Sequence, residues 1–299
     1  MRSKVKIVDL VAKYILKQKG KKIRPTLVLL SAKLAGNVNE RSYRGANLVE
    51  LLHTATLIHD DVVDEASKRR GFPSINAVWK NKIAVLMGDY LLSRGLMLAV
   101  ENTDYDFLQT ITNTVRRMSE GELLQINKTR KLDIDTETYF QIISDKTSSL
   151  LSTCCEIGTR SATDDENKIK AMSEFGENLG MAFQIRDDIL DIVGKSNLIG
   201  KPLGGDIKEK KITLPLIYAL DNASADERKT IIKKIKNGKK PNNVTDVIEF
   251  IKSKGGIEYA YSVAGDFGKK AKELLSIFED SESKTSLINL VDFVIERKN

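Results

Sequence analysis

Two clusters of aspartates are the residues of this sequence best suited to chemistry. Residues 60–64 (DDVVD) and 187–191 (DDILD) share the pattern DDxxD. In a helix, the first and last aspartates of each cluster lie on one face about 6 Å apart, whereas Asp61 and Asp188 are rotated by about 100°. Each cluster ends a long apolar helical pattern, where the helix dipole disfavours added negative charge. We therefore expect a compensating cation, and Mg²⁺, which takes carboxylates together with substrate phosphates, fits best.

A lone DDxxD is more often only the solvated end of a helix. Two copies, each followed by a loop that contains Gly and Lys, make that interpretation much weaker and favour two facing acidic helices around a metal-bound diphosphate. A calcium-binding EF-hand is excluded because neither cluster has alternating ligands in a twelve-residue loop with a central Gly and a final Glu.

Basic residues near the first cluster supply cations for phosphate oxygens. Lys21 and Arg24 lie in GKKIRP, and Arg69 and Arg70 lie in RRG. Pro25 predicts the first turn of a helix, whose N-terminus attracts anions. Arg contacts phosphate in a bidentate manner, which Lys cannot do. Any one of these side chains alone would be interpreted as solvated. They suggest a site only because several of them occur together near the aspartate cluster.

His53 lies on the same helical stripe as Thr56, Asp60 and Asp64. We therefore expect it to bind substrate, although a lone histidine on an apolar helix is more often a core residue. His59 lies off the stripe and is expected to be structural.

Composition limits the class of protein. The 299 residues are 41% hydrophobic and 30% charged with only 5 prolines, which favours a soluble, helical chain. The formal charge of +7 comes from dispersed lysines without interleaved aromatics, so no nucleic-acid partner is expected. The adjacent Cys154 and Cys155 indicate neither a disulfide nor zinc. No signal peptide or transmembrane segment is recognised, and a cytoplasmic location is predicted.

Hydrophobic periodicity predicts an all-α fold in a single domain spanning residues 1–299. The predicted helices are 5–19, 24–35, 40–64, 75–80, 84–101, 105–126, 136–160, 165–193, 212–221, 225–237, 243–254, 256–279 and 284–297. Residues 65–74 are predicted to be a loop. Residues 194–211 are predicted to form a lid, because their glycines permit closure and their lysines would be drawn to phosphate.

Eight motifs, in order along residues 20–215, carry a resemblance to a known family. They are GKKIRP, HTATLIHDDVVD, RRGFPS, GDYLLS, GELLQ, DKTSSL, FQIRDDILD and GKPLGGDIKEKKITLP. In these motifs the chain resembles the trans-prenyl (polyprenyl) diphosphate synthases. The resemblance implies a single large helical bundle of the isoprenoid synthase type around a deep central cavity. It also implies Mg²⁺-dependent joining of isopentenyl diphosphate to an allylic diphosphate, by a homodimer.

The resemblance also implies roles for individual residues. The metal ligands would be Asp60, Asp64 and Asp187, supported by Asp61, Asp188 and Asp191. Isopentenyl diphosphate would be bound by Lys21, Arg24, His53 and Arg70. The allylic diphosphate would be bound by Arg69, Lys146, Lys201 and Lys211. The oxygens of Thr147 and Gln184 would face the developing carbocation. The residues expected to act most directly in catalysis are Asp60, Asp64, Asp187, Lys146 and Lys201.

The product length is predicted from the residues below the first aspartate motif. In such enzymes bulky aromatics there close the product tunnel early, whereas this chain has Leu52, Ala55 and Thr56. A helical turn rises about 5.4 Å, roughly one isoprene unit. We therefore expect a product of twenty carbons or more, with Leu52, Met118 or Leu123 as candidates for the tunnel floor.

Three other functions would leave different signs in the sequence or in binding. A terpene cyclase of the same fold typically has an Asn/Ser/Glu-type triad in place of the second DDxxD and needs no isopentenyl site. A non-catalytic regulatory subunit of a heteromeric synthase would be expected to have lost one aspartate motif, and both are intact. A nucleic-acid-binding protein would show a steep dependence of affinity on salt.

Overall fold

The computed structural model describes residues 4–18, 20–69, 71–194, 204–237 and 240–297. In these ranges the chain is almost entirely helical, which confirms the predicted all-α class. The helices are α1 Lys6–Lys17, α2 Ile23–Ala35, α3 Glu40–Val63, α4 Ile75–Glu101, α5 Tyr105–Lys131, α6 Thr136–Ile143, α7 Ser149–Arg160, α8 Glu166–Val193, α9 Gly205–Lys208, α10 Leu214–Asp221, α11 Ala225–Lys236, α12 Pro241–Ser253, α13 Gly256–Leu274 and α14 Glu282–Glu296.

Four short elements lie between these helices. A π-helical turn, Ser144–Ser148, lies between α6 and α7, and a 3₁₀ turn, Leu275–Ile277, follows α13. The strands β1 Lys68–Arg69 and β2 Phe72–Pro73 pair antiparallel between α3 and α4.

The residue contacts group into two compact units. Unit 1 comprises Met1–Ile111 with Ile157–Thr163, and unit 2 comprises Thr112–Glu156 with Asp164–Asn299. The first aspartate motif lies in unit 1 and the second in unit 2.

Unit 1 is organised around α3. The helix begins with a capping box, in which Asn39 accepts from the backbone N–H of Ser42 and Ser42 accepts from that of Asn39. Its apolar face packs on α4, and Ala55 and Ile58 share a buried cluster with Met87 and Leu91 of α4. This packing holds the C-terminal end of α3, with its aspartates, at a defined place in the unit.

Helix α4 is long and apolar enough to cross a membrane by length and composition alone. Its buried residues, among them Met87, Gly88, Leu91 and Gly95, lie along one side, and α3 packs against it. One-sided packing of this kind is how a helix contributes to the core of a water-soluble domain. Helix α4 also has large apolar side chains that are exposed: Val78, Val85, Leu86, Met97 and Val100.

Unit 2 is organised around α8. Asp165 caps its N-terminus by accepting from the backbone N–H groups of Asn167 and Lys168. The helix packs against α13, α14 and the π-helical turn. Its residues Ile185 and Ile189 are fully buried in a cluster that also contains Leu214 and Ala260. The second aspartate motif therefore lies on a helix anchored from several sides.

The structure refines the predicted elements. The sequence predicts a break between the helices 75–80 and 84–101. In the structure this break is a single residue with non-helical backbone angles, Lys80 with a φ of 71°, inside the continuous helix α4. The loop predicted at 65–74 contains the two-stranded hairpin, whose strands of two residues are too short to give a period-two pattern. The helix predicted over 136–160 is interrupted by the π-helical turn. Of the predicted lid 194–211, residues 195–203 lie outside the described ranges, and 205–208 form α9.

Candidate active site

The first aspartate motif closes helix α3. Asp60 is half-buried in the last turn, and Asp64 follows the helix as its exposed C-cap. The backbone N–H of Asp64 donates to the carbonyl of Asp60 over 2.8 Å. The two carboxyl groups thus stand at a helix C-terminus, where a bound cation is favourable.

Asp61 points away from its neighbours, as its position on the helix predicts. Its carboxylate is buried and accepts from Arg69 Nε at 2.8 Å and from Arg69 Nη2 at 2.5 Å. The side-chain amide of Asn76 donates to the backbone carbonyl of Asp61 over 3.1 Å. In this structure Asp61 and Arg69 therefore tie the hairpin to the end of α3. The neighbouring Arg70 lies outside the described residues.

Three of the residues predicted to bind isopentenyl diphosphate lie together. Lys21, Arg24 and His53 line one cavity of about 350 Å³. Arg24 Nη1 lies 2.9 Å from His53 Nε2. Two charged side chains that were not predicted, Lys22 and Glu50, also line this cavity, and Glu50 accepts from Lys22 Nζ. The cavity therefore combines three cationic side chains with one carboxylate and an imidazole, and its net positive charge suits a diphosphate.

The second aspartate motif has three differently placed carboxylates. Asp187 is half-exposed and accepts from Arg297, a residue just beyond α14. Asp191 accepts from the backbone N–H groups of Gly205 at 3.1 Å and Asp206 at 3.0 Å. Asp191 therefore caps the start of α9, and Asp187 forms an ion pair with Arg297, the last residue that the structure describes.

Asp188 is the buried member of that motif. Tyr139 Oη donates to it over 2.7 Å and Gln184 Nε2 over 2.8 Å. Burial raises the pKa of Asp188 well above its usual range, and the Asp206 carboxylate adds to the rise. Burial also raises the pKa of Tyr139 well above its usual value. The phenol thus stays protonated and keeps donating to Asp188.

A cavity of about 120 Å³ lies beside the second motif. It brings together four residues predicted to bind the allylic substrate or face its carbocation: Lys146, Thr147, Gln184 and Lys211. Thr147 Oγ1 donates to Gln184 Oε1 over 3.0 Å. Lys146 Nζ donates to Gln125 Oε1 over 2.8 Å and is ion-paired with Glu122. Lys201, predicted for the same role, lies outside the described residues.

Several residues of this region were missed by the sequence reasoning. Glu122 and Gln125 belong to the motif GELLQ, so the motif signalled them without indicating a role. Tyr139 and Arg297 lie 49 and 110 residues from the aspartates that they contact. No local pattern in the sequence predicts contacts between residues so far apart.

The residues predicted to set product length differ in their surroundings. Leu52 and Ala55 are buried, and Ala55 packs in the core shared with α4. Thr56 is half-buried, and its hydroxyl donates to the carbonyl of His53 over 3.0 Å. Leu123 is 67% exposed, which argues against it as the floor of an apolar tunnel.

Comparison with known proteins decides the family. The family model for polyprenyl synthetases matches residues 5–253. This chain belongs to the polyprenyl synthetase family. The resemblance drawn from the eight sequence motifs is thereby confirmed, and with it the assignment of the chain as a polyprenyl diphosphate synthase.

The matches to individual relatives cover nearly the whole chain. A short chain isoprenyl diphosphate synthase of Methanothermobacter thermautotrophicus is 35% identical over 284 residues, which are 94% of this chain and 87% of that protein. An all-trans-nonaprenyl-diphosphate synthase (geranyl-diphosphate specific) of Rhodobacter capsulatus is 36% identical over 296 residues, 99% of this chain and 90% of that protein.

A solved structure gives the same result. The polyprenyl synthase of Caulobacter crescentus CB15, complexed with calcium and isoprenyl diphosphate, is 34% identical with a TM-score of 0.92. The match covers 100% of this polyprenyl synthetase and 92% of that chain. The isoprenoid synthase fold expected from the motifs is therefore confirmed.

Proposed function

We propose that this polyprenyl synthetase condenses isopentenyl diphosphate with an allylic diphosphate and makes an all-trans polyprenyl diphosphate of twenty carbons or more. The observation that carries the proposal is the cavity that gathers Lys146, Thr147, Gln184 and Lys211 beside the second aspartate motif. Cations, neutral oxygen dipoles and carboxylates in one small space suit a substrate whose diphosphate leaves and whose carbon becomes positive.

The isopentenyl diphosphate would bind in the cavity of Lys21, Arg24 and His53. The guanidinium offers a planar pair of donors to phosphate oxygens, and Lys21, which is exposed, adds a point charge. Arg70, outside the described residues, is proposed for the same diphosphate. These contacts would orient the double bond without taking part in bond making.

The allylic diphosphate would be held by Lys146, Lys211, Arg69 and, outside the described ranges, Lys201. As the allylic carbon–oxygen bond breaks, the ammonium group of Lys146 would offset the charge that develops on the departing diphosphate. The Thr147 and Gln184 oxygens would stabilise the allylic cation. The double bond of isopentenyl diphosphate then attacks that cation, and a proton leaves, in the family to the released diphosphate.

Mg²⁺ fits the donor set of the two motifs. Asp60, Asp64 and Asp187 offer only carboxylate oxygens, which hard divalent cations prefer. Mg²⁺ usually takes one or two carboxylates together with substrate phosphates and water, so the aspartates would supply only part of its coordination. When bound, the metal would act as a Lewis acid on the leaving diphosphate. Asp61, Asp188 and Asp191 would support the ligands from behind.

A cytoplasmic homodimer is part of the proposal. The exposed apolar side of α4, formed by Val78, Val85, Leu86, Met97 and Val100, is a suitable surface for a second copy. Obligate dimer interfaces are more apolar than ordinary protein surface, and burial in a dimer would remove this side of α4 from water.

The test is a product-sizing assay. Purified protein receives Mg²⁺ and isopentenyl diphosphate with dimethylallyl, geranyl, farnesyl or geranylgeranyl diphosphate in separate reactions, and the dephosphorylated products are sized by chromatography. We expect chain elongation that is reduced at least about 100-fold in Asp60→Asn and Asp187→Asn, since these changes remove charge from the site of bond breaking. Folded wild-type protein that elongates no primer would overturn the proposal.

A further inference from the structure

A network of charges joins α5, α8 and the π-helical turn inside unit 2. Arg117 Nε donates to Asp145 Oδ1 over 2.8 Å, and Arg117 Nη2 donates to Ser144 Oγ over 2.8 Å and to Glu177 Oε1 over 3.0 Å. Gln141 Nε2 donates to the second oxygen of Asp145, and Ser144 Oγ donates to Glu177. One guanidinium thus contacts both first residues of the turn and also α8.

Arg117 is well placed to hold this arrangement. Its side chain is about a quarter exposed, and the side chain of Asp145 is largely buried. Burial alone would lower the pKa of the Arg117 guanidinium, but its hydrogen bonds to Glu177 and Asp145 outweigh this effect and raise the pKa. The planar fork of an arginine can satisfy several acceptors at once, which a lysine cannot.

The π-helical turn is also confined by close backbone contacts. A Cβ on Gly121, one turn after Arg117 on α5, would lie 2.9 Å from Asp145 Cβ and 3.1 Å from the backbone nitrogen of Lys146. A Cβ on Gly180 of α8 would lie 2.5 Å from Ser148 Cα. Isolated π-helical turns are uncommon and are frequently found at functional sites.

The turn divides its side chains between two environments. Ser144 and Asp145 contact the Arg117 network, whereas Lys146 and Thr147 line the cavity beside the second aspartate motif. The place of Lys146 and Thr147 in that cavity therefore depends on how Ser144 and Asp145 are held.

We propose that Arg117 is a positioning residue of the reaction: through Asp145 and Ser144, it holds the π-helical turn in the register that presents Lys146 and Thr147 to the allylic diphosphate. This inference rests on the proposed function and adds a residue that itself does not touch substrate. A purely structural role would affect only how much protein is folded.

The test compares Arg117→Gln, Arg117→Lys and Asp145→Asn with Arg116→Gln. Arg116 is the matched control, because it is the adjacent exposed arginine of α5 and its partners among the described residues, Asn113 and Glu120, belong to the same helix. The folded fraction of each variant is measured by circular dichroism. Steady-state elongation rates are then determined with each substrate varied in turn.

We expect kcat/KM for the allylic diphosphate to fall about 100-fold in Arg117→Gln, because misplacing a binding group by about 1 Å costs that much. The KM for isopentenyl diphosphate should stay within about twofold of wild type, since its proposed ligands belong to unit 1. Arg117→Lys should recover part of the loss, and Arg116→Gln should behave as wild type. If Arg117→Gln does not fold, the test uses Arg117→Lys and Asp145→Asn. In these variants too, kcat/KM for the allylic diphosphate should fall while the KM for isopentenyl diphosphate stays near wild type.

A double variant shows whether Arg117 acts through Asp145. The losses of Arg117→Gln and Asp145→Asn should be clearly less than additive in the combined protein, because both remove the same contact. Wild-type allylic kinetics in folded Arg117→Gln would overturn the inference, and so would a KM for isopentenyl diphosphate that rises as much as the KM for the allylic diphosphate. The two proposals fail distinguishably: a wild-type protein that elongates no primer contradicts the function, whereas an active wild type with an unaffected Arg117→Gln contradicts only the positioning role.

Discussion

Arg69 donates two hydrogen bonds to one carboxylate oxygen of Asp61, at 2.8 and 2.5 Å, and thereby separates the middle aspartate of the first motif from its neighbours. The carboxylate of Asp61 is almost completely buried, whereas Asp60 is half-buried and Asp64 exposed. The three aspartates of one motif therefore have two different tasks. Asp61 anchors the hairpin after α3, and Asp60 and Asp64 are the aspartates of this motif that we propose as metal ligands.

This division predicts that the same substitution at these adjacent positions affects stability at one and activity at the other. Asp61→Asn should lower the free energy of unfolding by about 1–3 kcal/mol, because it weakens a buried charge-assisted hydrogen bond. Asp60→Asn removes negative charge from the C-terminal end of α3, so it should cost less stability than Asp61→Asn and should abolish most of the activity. Urea unfolding and elongation assays on both variants check this. An Asp61→Asn protein of wild-type stability without activity would place Asp61 among the direct metal ligands.

Close packing of α8 on the π-helical turn predicts that Gly180→Ala is destabilising. The added Cβ would lie 2.5 Å from Ser148 Cα, so the backbone must shift, at a cost of about 1–3 kcal/mol. Gly265→Ala is the control, because Gly265 lies inside α13 with nothing within 4 Å of the added Cβ. It should stabilise the protein by up to about 1 kcal/mol. Thermal unfolding measures the midpoint temperature of each variant. Midpoints that both rose or both fell relative to wild type would contradict the packing.

The pH dependence of stability should include a contribution from Asp104 in unit 1. Burial alone would raise its pKa, but hydrogen bonds from Arg44 and Arg41 outweigh this effect and lower the pKa below its usual value of 3.8. A lowered folded-state pKa gives stability that is present above the unfolded-state pKa and is lost as the pH falls through the folded-state pKa.

We therefore expect Asp104→Asn to cost about 2–3 kcal/mol near neutral pH, since two partly buried arginines lose their shared carboxylate. The difference from wild type should be constant above pH ~5 and shrink below pH ~4. Urea unfolding at a series of pH values measures it. A difference that stayed constant down to pH ~2 would contradict the assignment.

Product length should respond to Thr56 and not to its neighbour. Thr56→Phe should shorten the product by about one isoprene unit, because a helical turn rises about 5.4 Å. Ala55→Phe should instead destabilise the protein, because Ala55 is packed in the core of unit 1 between α3 and α4. Chromatographic sizing of the products, combined with thermal unfolding, separates the two effects. An unchanged product from folded Thr56→Phe would remove Thr56 from the tunnel.

Helix positions and the two aspartate motifs could be predicted from sequence because their signals are local. Periodicity predicts α3 within one residue of its observed bounds, and it also predicts a break in the helical pattern near Lys80. The i, i+4 spacing separated Asp61 and Asp188 from their neighbours, and both are buried in the structure.

Other features could not be predicted because they depend on pairs distant in sequence. Arg117 meets Glu177 across 60 residues, and Arg297 meets Asp187 across 110. The π-helical turn Ser144–Ser148 lies inside the segment 136–160, which the sequence predicts as one continuous helix. Only the packing of α5 and α8 on that turn reveals why it forms.

The most direct test of the central claim is the stoichiometry of the reaction. Wild-type protein with Mg²⁺, isopentenyl diphosphate and a single allylic primer is sampled over time for released inorganic diphosphate and for isopentenyl diphosphate consumed. Condensation predicts one diphosphate released for each isopentenyl unit consumed, and no release without isopentenyl diphosphate beyond slow hydrolysis. Rapid release of diphosphate from the allylic substrate alone, with no isopentenyl diphosphate consumed, would contradict the account and indicate a cyclase.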